Sequence, residues 1–387
     1  MARSQHRAPA GPRSHLLLGP AVLASALLAT AALSVVAGTH VATRTTGVMT
    51  AARTSGTKAT AAKSPGWRIV AEIGPASADV PGALTVHSAK SAWAVWTGPG
   101  FTAVDRFAGG AWRRVTLPAS LAGYLHSGLA FDGDSATDFW LFSFDHPTKA
   151  LRLTGTRWVL QTIPSWVLQR SGGTVANATA EVFGPGDVWV FSTDAAAYAA
   201  HYNGRTWAKV KLPGIPGEVA ATGPDDIVAS TGSSLLSWNG KHWSAVKIPA
   251  AAGNVPVAYS DLGAAGPKSV WVLRTTQTPG AGPAPTEVLH WNGKSWQLTR
   301  SPADIVYSLA PDGDGSVWAT GLDINPGGFA DFYHLTGSGW TQADNPAGVW
   351  NHAPEYLTWI PGTRSLWGVA SGFTAKGLDT VIVKYGP

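Results

Sequence analysis

Ser269-Val270-Trp271-Val272-Leu273, followed by His290-Trp291-Asn292-Gly293-Lys294-Ser295-Trp296, is the pair of phrases from which the remainder of the sequence can be read. The first is a short apolar run centred on Trp271. The second is two β-rich runs meeting at Asn292-Gly293, the strongest short-range hairpin signal, because both residues accept the positive φ of a type I′ turn. Together they predict one strand and then a hairpin whose second arm opens on Trp.

The same two phrases recur along the chain. The first centres on Trp93 (SAWAV), Trp140 (DFWLF), Trp189 (DVWVF), Ile227 (DIVAS), Trp271, Trp318 (SVWAT) and Trp367 (SLWGV), at intervals of 47, 49, 38, 44, 47 and 49 residues. The second reappears as RFAGGAW, RLTGTRW, HYNGRTW, SWNGKHW and HLTGSGW, ending on Trp112, Trp158, Trp207, Trp243 and Trp340. With a preceding strand such as Leu84-Thr85-Val86 or Tyr356-Leu357-Thr358, each unit has four short strands, the size of one propeller blade. The predicted fold is therefore all-β, a seven-bladed β-propeller of four-stranded antiparallel blades.

The seventh unit stops at its third strand, Thr380 to Tyr385, with no Trp-initiated strand after it. A matching orphan, Gly66-Trp67-Arg68-Ile69-Val70-Ala71-Glu72-Ile73, stands at the other end of the repeats. The strand at Trp67 is expected to close the last blade as its outer edge, which removes an open sheet face. Fifteen of the 19 tryptophans then fall at repeat-equivalent places, which assigns them to filling the wedges between blades rather than to ligand binding.

Composition agrees with short strands and tight turns: 45 Gly, 27 Pro and 19 Trp against only 13% charged residues. The net charge of +5 misleads as a guide to partners, because residues 1–66 hold seven of the 28 basic residues and no acid. The remaining chain carries 21 basic against 23 acidic side chains, so the basic footprint of a nucleic-acid binder is missing. The absence of cysteine excludes disulfides, thiolate nucleophiles, Cys-ligated zinc and iron–sulfur clusters.

Arg3, Arg7 and Arg13 precede an apolar run from Leu16 to Ala37, with small residues at Val35-Val36-Ala37 suited to a cleavage site before Gly38. Residues 1–37 read as a secretory signal peptide, or as an amino-terminal membrane anchor if residues 16–37 stay uncleaved. Residues 38–66 are small, polar and basic and form an expected disordered spacer, leaving 67–387 as the propeller. The expected location is secreted, or tethered at the cell surface.

The GDVW and SVW strands followed by HWNGxSW resemble the Trp-rich repeats of actinobacterial exported propellers, grouped with kelch and galactose-oxidase-like propellers. DGDGSVWAT, residues 312–320, is also similar to propeller repeats of two-component sensor ectodomains. The resemblance spans residues 67–387 and implies the fold, not an activity. Galactose oxidase chemistry is not implied, since its Tyr–Cys crosslink needs a cysteine.

No catalytic constellation stands out. His201, His290 and His334 occupy one place in three repeats, and His242 lies in a fourth repeat's hairpin, which favours packing or turn roles over ligation. No close-spaced metal pattern and no Gly-x-Ser-x-Gly elbow occurs, so no metal and no cofactor is expected. The non-repeating residues of the links between repeats remain: Tyr124, His126, Trp166, Tyr259, Trp350, Asn351 and His352, aromatics beside amide and imidazole that suit a ligand pocket at the central channel. The bland alternative is that they seal the channel. The expected function is a non-enzymatic extracellular binding propeller, monomeric, whose partner is a glycan or a cell-surface protein. The alternative is a carbohydrate-active hydrolase or lyase at the channel mouth, whose paired carboxylates would have to be assembled across blades.

Overall fold

The alternation of apolar and polar residues becomes, in space, seven stacks of paired strands. The computed structural model describes residues 66–75, 83–98, 101–124, 129–168, 170–171, 174–175, 178–193, 196–276, 286–322, 330–345, 356–374 and 377–386. These form seven four-stranded antiparallel sheets and one two-stranded ribbon, Arg170–Ser171 with Thr174–Val175. Blades 1 to 6 each use four strands consecutive in sequence, beginning with Ala83–Ser88, Leu129–Asp132, Ala178–Gly184, Val219–Gly223, Val257–Ala264 and Ile305–Pro311. First strands of neighbouring blades touch one another, which places them innermost, around the central channel.

Blade 7 closes the ring as expected. Its strands run Tyr356–Trp359, Leu366–Thr374, Gly377–Gly386 and, outermost, Gly66–Pro75. The register sets Gly66 opposite Gly386, Trp67 opposite Tyr385 and Pro75 opposite Asp379, with two bulges on the way. The Trp67 ring lies 4.1 Å from Phe332 of blade 6 and 5.5 Å from Tyr385.

The core is divided into seven apolar clusters, one at each seam between blades. Second-strand tryptophans are its largest members: Trp93 and Trp140 are 0% exposed, Trp189, Trp318 and Trp367 2%, and Trp271 3%. Burying ~150–250 Å² apiece at ~25 cal/mol per Å², each stabilises its seam by about 4–6 kcal/mol as an upper bound. Two sequence expectations are corrected here. In blade 4 the tryptophan's place belongs to Val228, not Ile227: Ile227 packs back on Trp189 of blade 3, whereas Val228 faces Val270 and Val272 of blade 5. The Asn-Gly turns are not type I′ but four-residue loops, since Tyr202 pairs with Trp207 and Trp291 with Trp296. Only the glycines adopt positive φ, at 86° for Gly204 and 85° for Gly293. The Asn292 side chain instead accepts backbone N–H bonds from Lys294 and Ser295, both at 3.0 Å, which caps the loop.

The residue facing each second-strand tryptophan from the third strand follows a rule of its own. Arg106 and Arg152 lie 5.7 and 4.7 Å over Trp93 and Trp140, and His201, His290 and His334 stack on Trp189, Trp271 and Trp318. The packing role expected for the repeated histidines is thus observed. Lys384 stands opposite Trp367 in blade 7.

Candidate functional site

The first strand also carries a residue opposite each second-strand tryptophan, and in blades 1 to 3 these are Thr85, Asp132 and Glu181. The ring of blades therefore brings three polar side chains, one from each innermost strand, into a row. Asp132 accepts hydrogen bonds from the Thr85 hydroxyl and, at 2.7 Å, from the backbone N–H of Val182 in blade 3. Burial raises the Asp132 carboxyl above its ordinary range, against the pull of the Thr85, Val182 and Gly133 bonds and of His87. Glu181 is held well above its usual value by burial first and by repulsion from Asp132 second.

A second carboxylate pair joins blades 4 and 5. Glu218 directs its Oε2 across the seam, accepting from the Leu262 N–H at 3.0 Å and also from the backbone of Asp261. Asp261 sits in a bulge between Ser260 and Gly263 and has φ of +50°, the one positive value at a non-glycine among the described residues. Loss of hydration in the seam raises Glu218; burial and then repulsion from Glu218 hold Asp261 well above its ordinary value, while the Ser260 hydroxyl, 3.2 Å from Oδ2, opposes this. Strained backbone and paired carboxyls of this kind concentrate at functional sites.

Blades 6 and 7 give the opposite side of the ring another chemistry. Ile305, Tyr307 and Tyr356, all on first strands, are 40%, 39% and 47% exposed. The innermost strands, with Glu218 just ahead of the blade 4 strand, thus offer carboxyls from blades 2 to 5 and exposed apolar and aromatic surface from blades 6 and 7. That combination suits a ligand with both hydroxyls and flat apolar faces.

The residues singled out in the sequence are placed differently. Tyr124 follows a short helix, Ala119–Ala122, packs on the blade 1–2 core and lies 4.6 Å from the His146 ring. His146 in turn has its Nε2 3.1 Å from the Gly123 carbonyl, so this corner is tied to itself. The backbone carbonyl of Trp166 accepts the Tyr198 hydroxyl at 3.0 Å, and Lys209 sits 5.2 and 4.6 Å from the Trp166 and Tyr198 rings. Tyr259 is in the first strand of blade 5 rather than in a link, packed on the blade 4–5 core. His126, Trp350, Asn351 and His352 lie outside the described residues. The three described residues therefore belong to three separate packing sites. The carboxylates were missed because each partner lies about one blade period away in sequence, although aligning the repeats on Trp140 and Trp189 puts Asp132 and Glu181 at one position.

Among the described residues, no group of three or more His, Asp or Glu side chains could hold a metal ion, and no helix is long and apolar enough to cross a membrane. No known family matches the sequence, and no curated protein does. Solved structures do match. YCF48 bound to D1 peptide is 14% identical, covers 83% of this chain and 97% of its own, and superposes with a TM-score of 0.52. The GH74 xyloglucanase from Xanthomonas campestris is 16% identical over 82% of this chain and 55% of its own, with a TM-score of 0.51. The extracellular domain of the one-component system BT4673 from B. thetaiotaomicron is 13% identical over 81% of this chain and 39% of its own, with a TM-score of 0.50. At such identities the likeness is one of fold, and the chain is a seven-bladed β-propeller.

Proposed function

We propose that this protein is an exported, extracellular binding propeller whose ligand is a glycan held at the channel by its innermost strands. The observation that carries the reading is the division of those strands and their immediate flanks between carboxyls (Asp132, Glu181, Glu218, Asp261) and the exposed Tyr307 and Tyr356. Sugars present hydroxyls along their edges and apolar C–H faces, which the two sides match. A surface protein remains the other partner class, and YCF48, solved with a bound peptide, is a propeller of similar architecture that supports it. Export rests on residues 1–37 read as a secretory signal, with residues 38–66 as a spacer ahead of the propeller. The test is a binding screen of the full chain against cell-wall glycans and soluble oligosaccharides. Binding that is lost in Tyr307→Ala and Glu181→Gln supports the proposal; no binding to any glycan overturns it.

A second reading, carbohydrate hydrolysis, is favoured by one observation: burial and the neighbouring Asp132 raise the Glu181 carboxyl well above its ordinary range, the direction a general acid needs. Release of reducing ends from a bound glycan, abolished in Glu181→Gln, would replace binding by catalysis as the function.

A further inference from the structure

Blades 3, 4 and 5 carry the same hairpin loop: Asn203-Gly204-Arg205-Thr206, Asn239-Gly240-Lys241-His242 and Asn292-Gly293-Lys294-Ser295. In each, the asparagine Oδ1 accepts two backbone N–H bonds from the second and third residues after it, at 3.0 and 2.9 Å in blade 3, 3.1 and 3.0 Å in blade 4, and 3.0 Å for both in blade 5. All three asparagines are exposed, so the loops present three equivalent amides to water.

An asparagine before glycine can lose its side-chain amide, because the next backbone nitrogen lies within reach of Cγ and glycine has no side chain to obstruct the approach. The rate depends on what surrounds the atoms that change. The two N–H groups on Oδ1 stand where negative charge develops as Cγ becomes tetrahedral, the arrangement of an oxyanion hole, and all three loops have them. The blade 4 loop has more. Its fourth residue is His242, whose Nε2 lies 3.4 Å from the Asn239 Nδ2, the atom that must leave. Thr206 and Ser295 hold that place in the sister loops. A carboxylate also lies against the blade 4 glycine: a Cβ on Gly240 would run into Asp225 Oδ1, whereas on Gly204 it would meet the backbone of Gly186 and on Gly293 the alkyl chain of Lys268. Asn239 thus has a carboxylate against the attacking residue, two donors on its oxygen and an imidazole at the leaving nitrogen.

We propose that Asn239 is a site of intramolecular deamidation, a covalent modification that the blade 4 loop itself catalyses. The Asp225 carboxylate takes the amide proton of Gly240, the Gly240 nitrogen bonds to Cγ of Asn239, and the carbonyl electron pair moves onto Oδ1 between the Lys241 and His242 N–H groups. As that pair returns, the Cγ–Nδ2 bond breaks, and Nδ2 takes a proton from the His242 imidazolium and leaves as ammonia. The proton on Asp225 returns to His242 through solvent. Water then opens the five-membered imide at one carbonyl or the other, leaving aspartate or isoaspartate at position 239. In the net change one water is taken up and one ammonia released, with no oxidant required. The site lies in an outer hairpin and does not rest on the glycan reading.

The test holds the full chain at neutral pH for several weeks and reads positions 203, 239 and 292 for aspartate and isoaspartate by peptide mass spectrometry. Asn239 is expected to convert about tenfold or more faster than Asn203 and Asn292, a margin well inside what positioned acid–base groups contribute. His242→Gln and Asp225→Asn, both changes of exposed side chains, should each bring Asn239 down towards its sister sites. In urea, where Asp225 is no longer held against Gly240, Asp225→Asn should have no effect. Equal conversion at the three sites, an unchanged rate at Asn239 in either folded variant, or an Asp225→Asn effect that persists in urea overturns the proposal.

Discussion

His290 lies face to face with Trp271, ring centroids 3.7 Å apart and planes within 2° of parallel. Burial lowers the imidazole below its usual value, against an opposing hydrogen bond with Gln297. The folded state therefore favours neutral His290. Stability should be complete above about pH 6.5, the unfolded value, and should fall as pH drops from there through the lowered folded value. Urea denaturation at pH 8 and pH 5.5 should show a smaller loss for His290→Gln than for the parent chain. An identical loss in both would mean that the stack carries no proton linkage.

Trp67→Ala removes the aromatic side chain by which the closing strand grips Phe332, Trp318 and Tyr385, leaving Ile69 as its remaining contact with that core. A loss of about 3 kcal/mol is expected from comparable truncations. Arg113→Ala, exposed on the fourth strand of blade 1, should change stability by no more than about 0.5 kcal/mol. Denaturation midpoints of the two variants make the comparison.

Asp132 separates the worth of a hydrogen bond from the cost of a charge. Asp132→Asn keeps an acceptor for the Val182 N–H while removing a poorly hydrated carboxylate, and should be neutral or stabilising at pH 7. Asp132→Ala leaves that N–H without its acceptor and should cost about 1–3 kcal/mol. Equal effects of the two substitutions would show that Asp132 does not join blades 2 and 3.

Asp261→Gly should stabilise the protein by up to about 1 kcal/mol, because glycine adopts φ of +50° without strain and the repulsion on Glu218 disappears. If the channel binds a glycan, the same substitution should weaken that binding. A destabilised Asp261→Gly protein would mean that the bulge depends on the carboxyl.

How much of this was legible beforehand depends on whether a feature repeats locally. Trp271 and the His290-to-Trp296 hairpin lie within one unit, so alternation and turn residues exposed the blade, its count and the closing strand at Trp67. Ile227 was misassigned because DIVAS lacks the tryptophan that marks the phase, and only packing against Trp189 on one side and Val270 on the other shows which face each residue takes. Asn292 was read by its dihedral preference, but its side chain's two bonds to the loop backbone decide the turn. The candidate site was hidden for a different reason: Asp132 meets Glu181 only once the sheets are arranged in a ring.

The pairing of Gly66 with Gly386 sets an order on assembly. A chain that emerges amino terminus first exposes the strand from Gly66 to Pro75 long before its partner exists, so that strand waits while six complete blades gather beside it. The cost of joining such distant segments grows only slowly with their separation, but it falls due at the very end, when nearly everything else is in place. The ring therefore behaves as a clasp: until its last third of a blade has been made, the first strand has nothing to hold, and a truncated chain announces itself by a loose end.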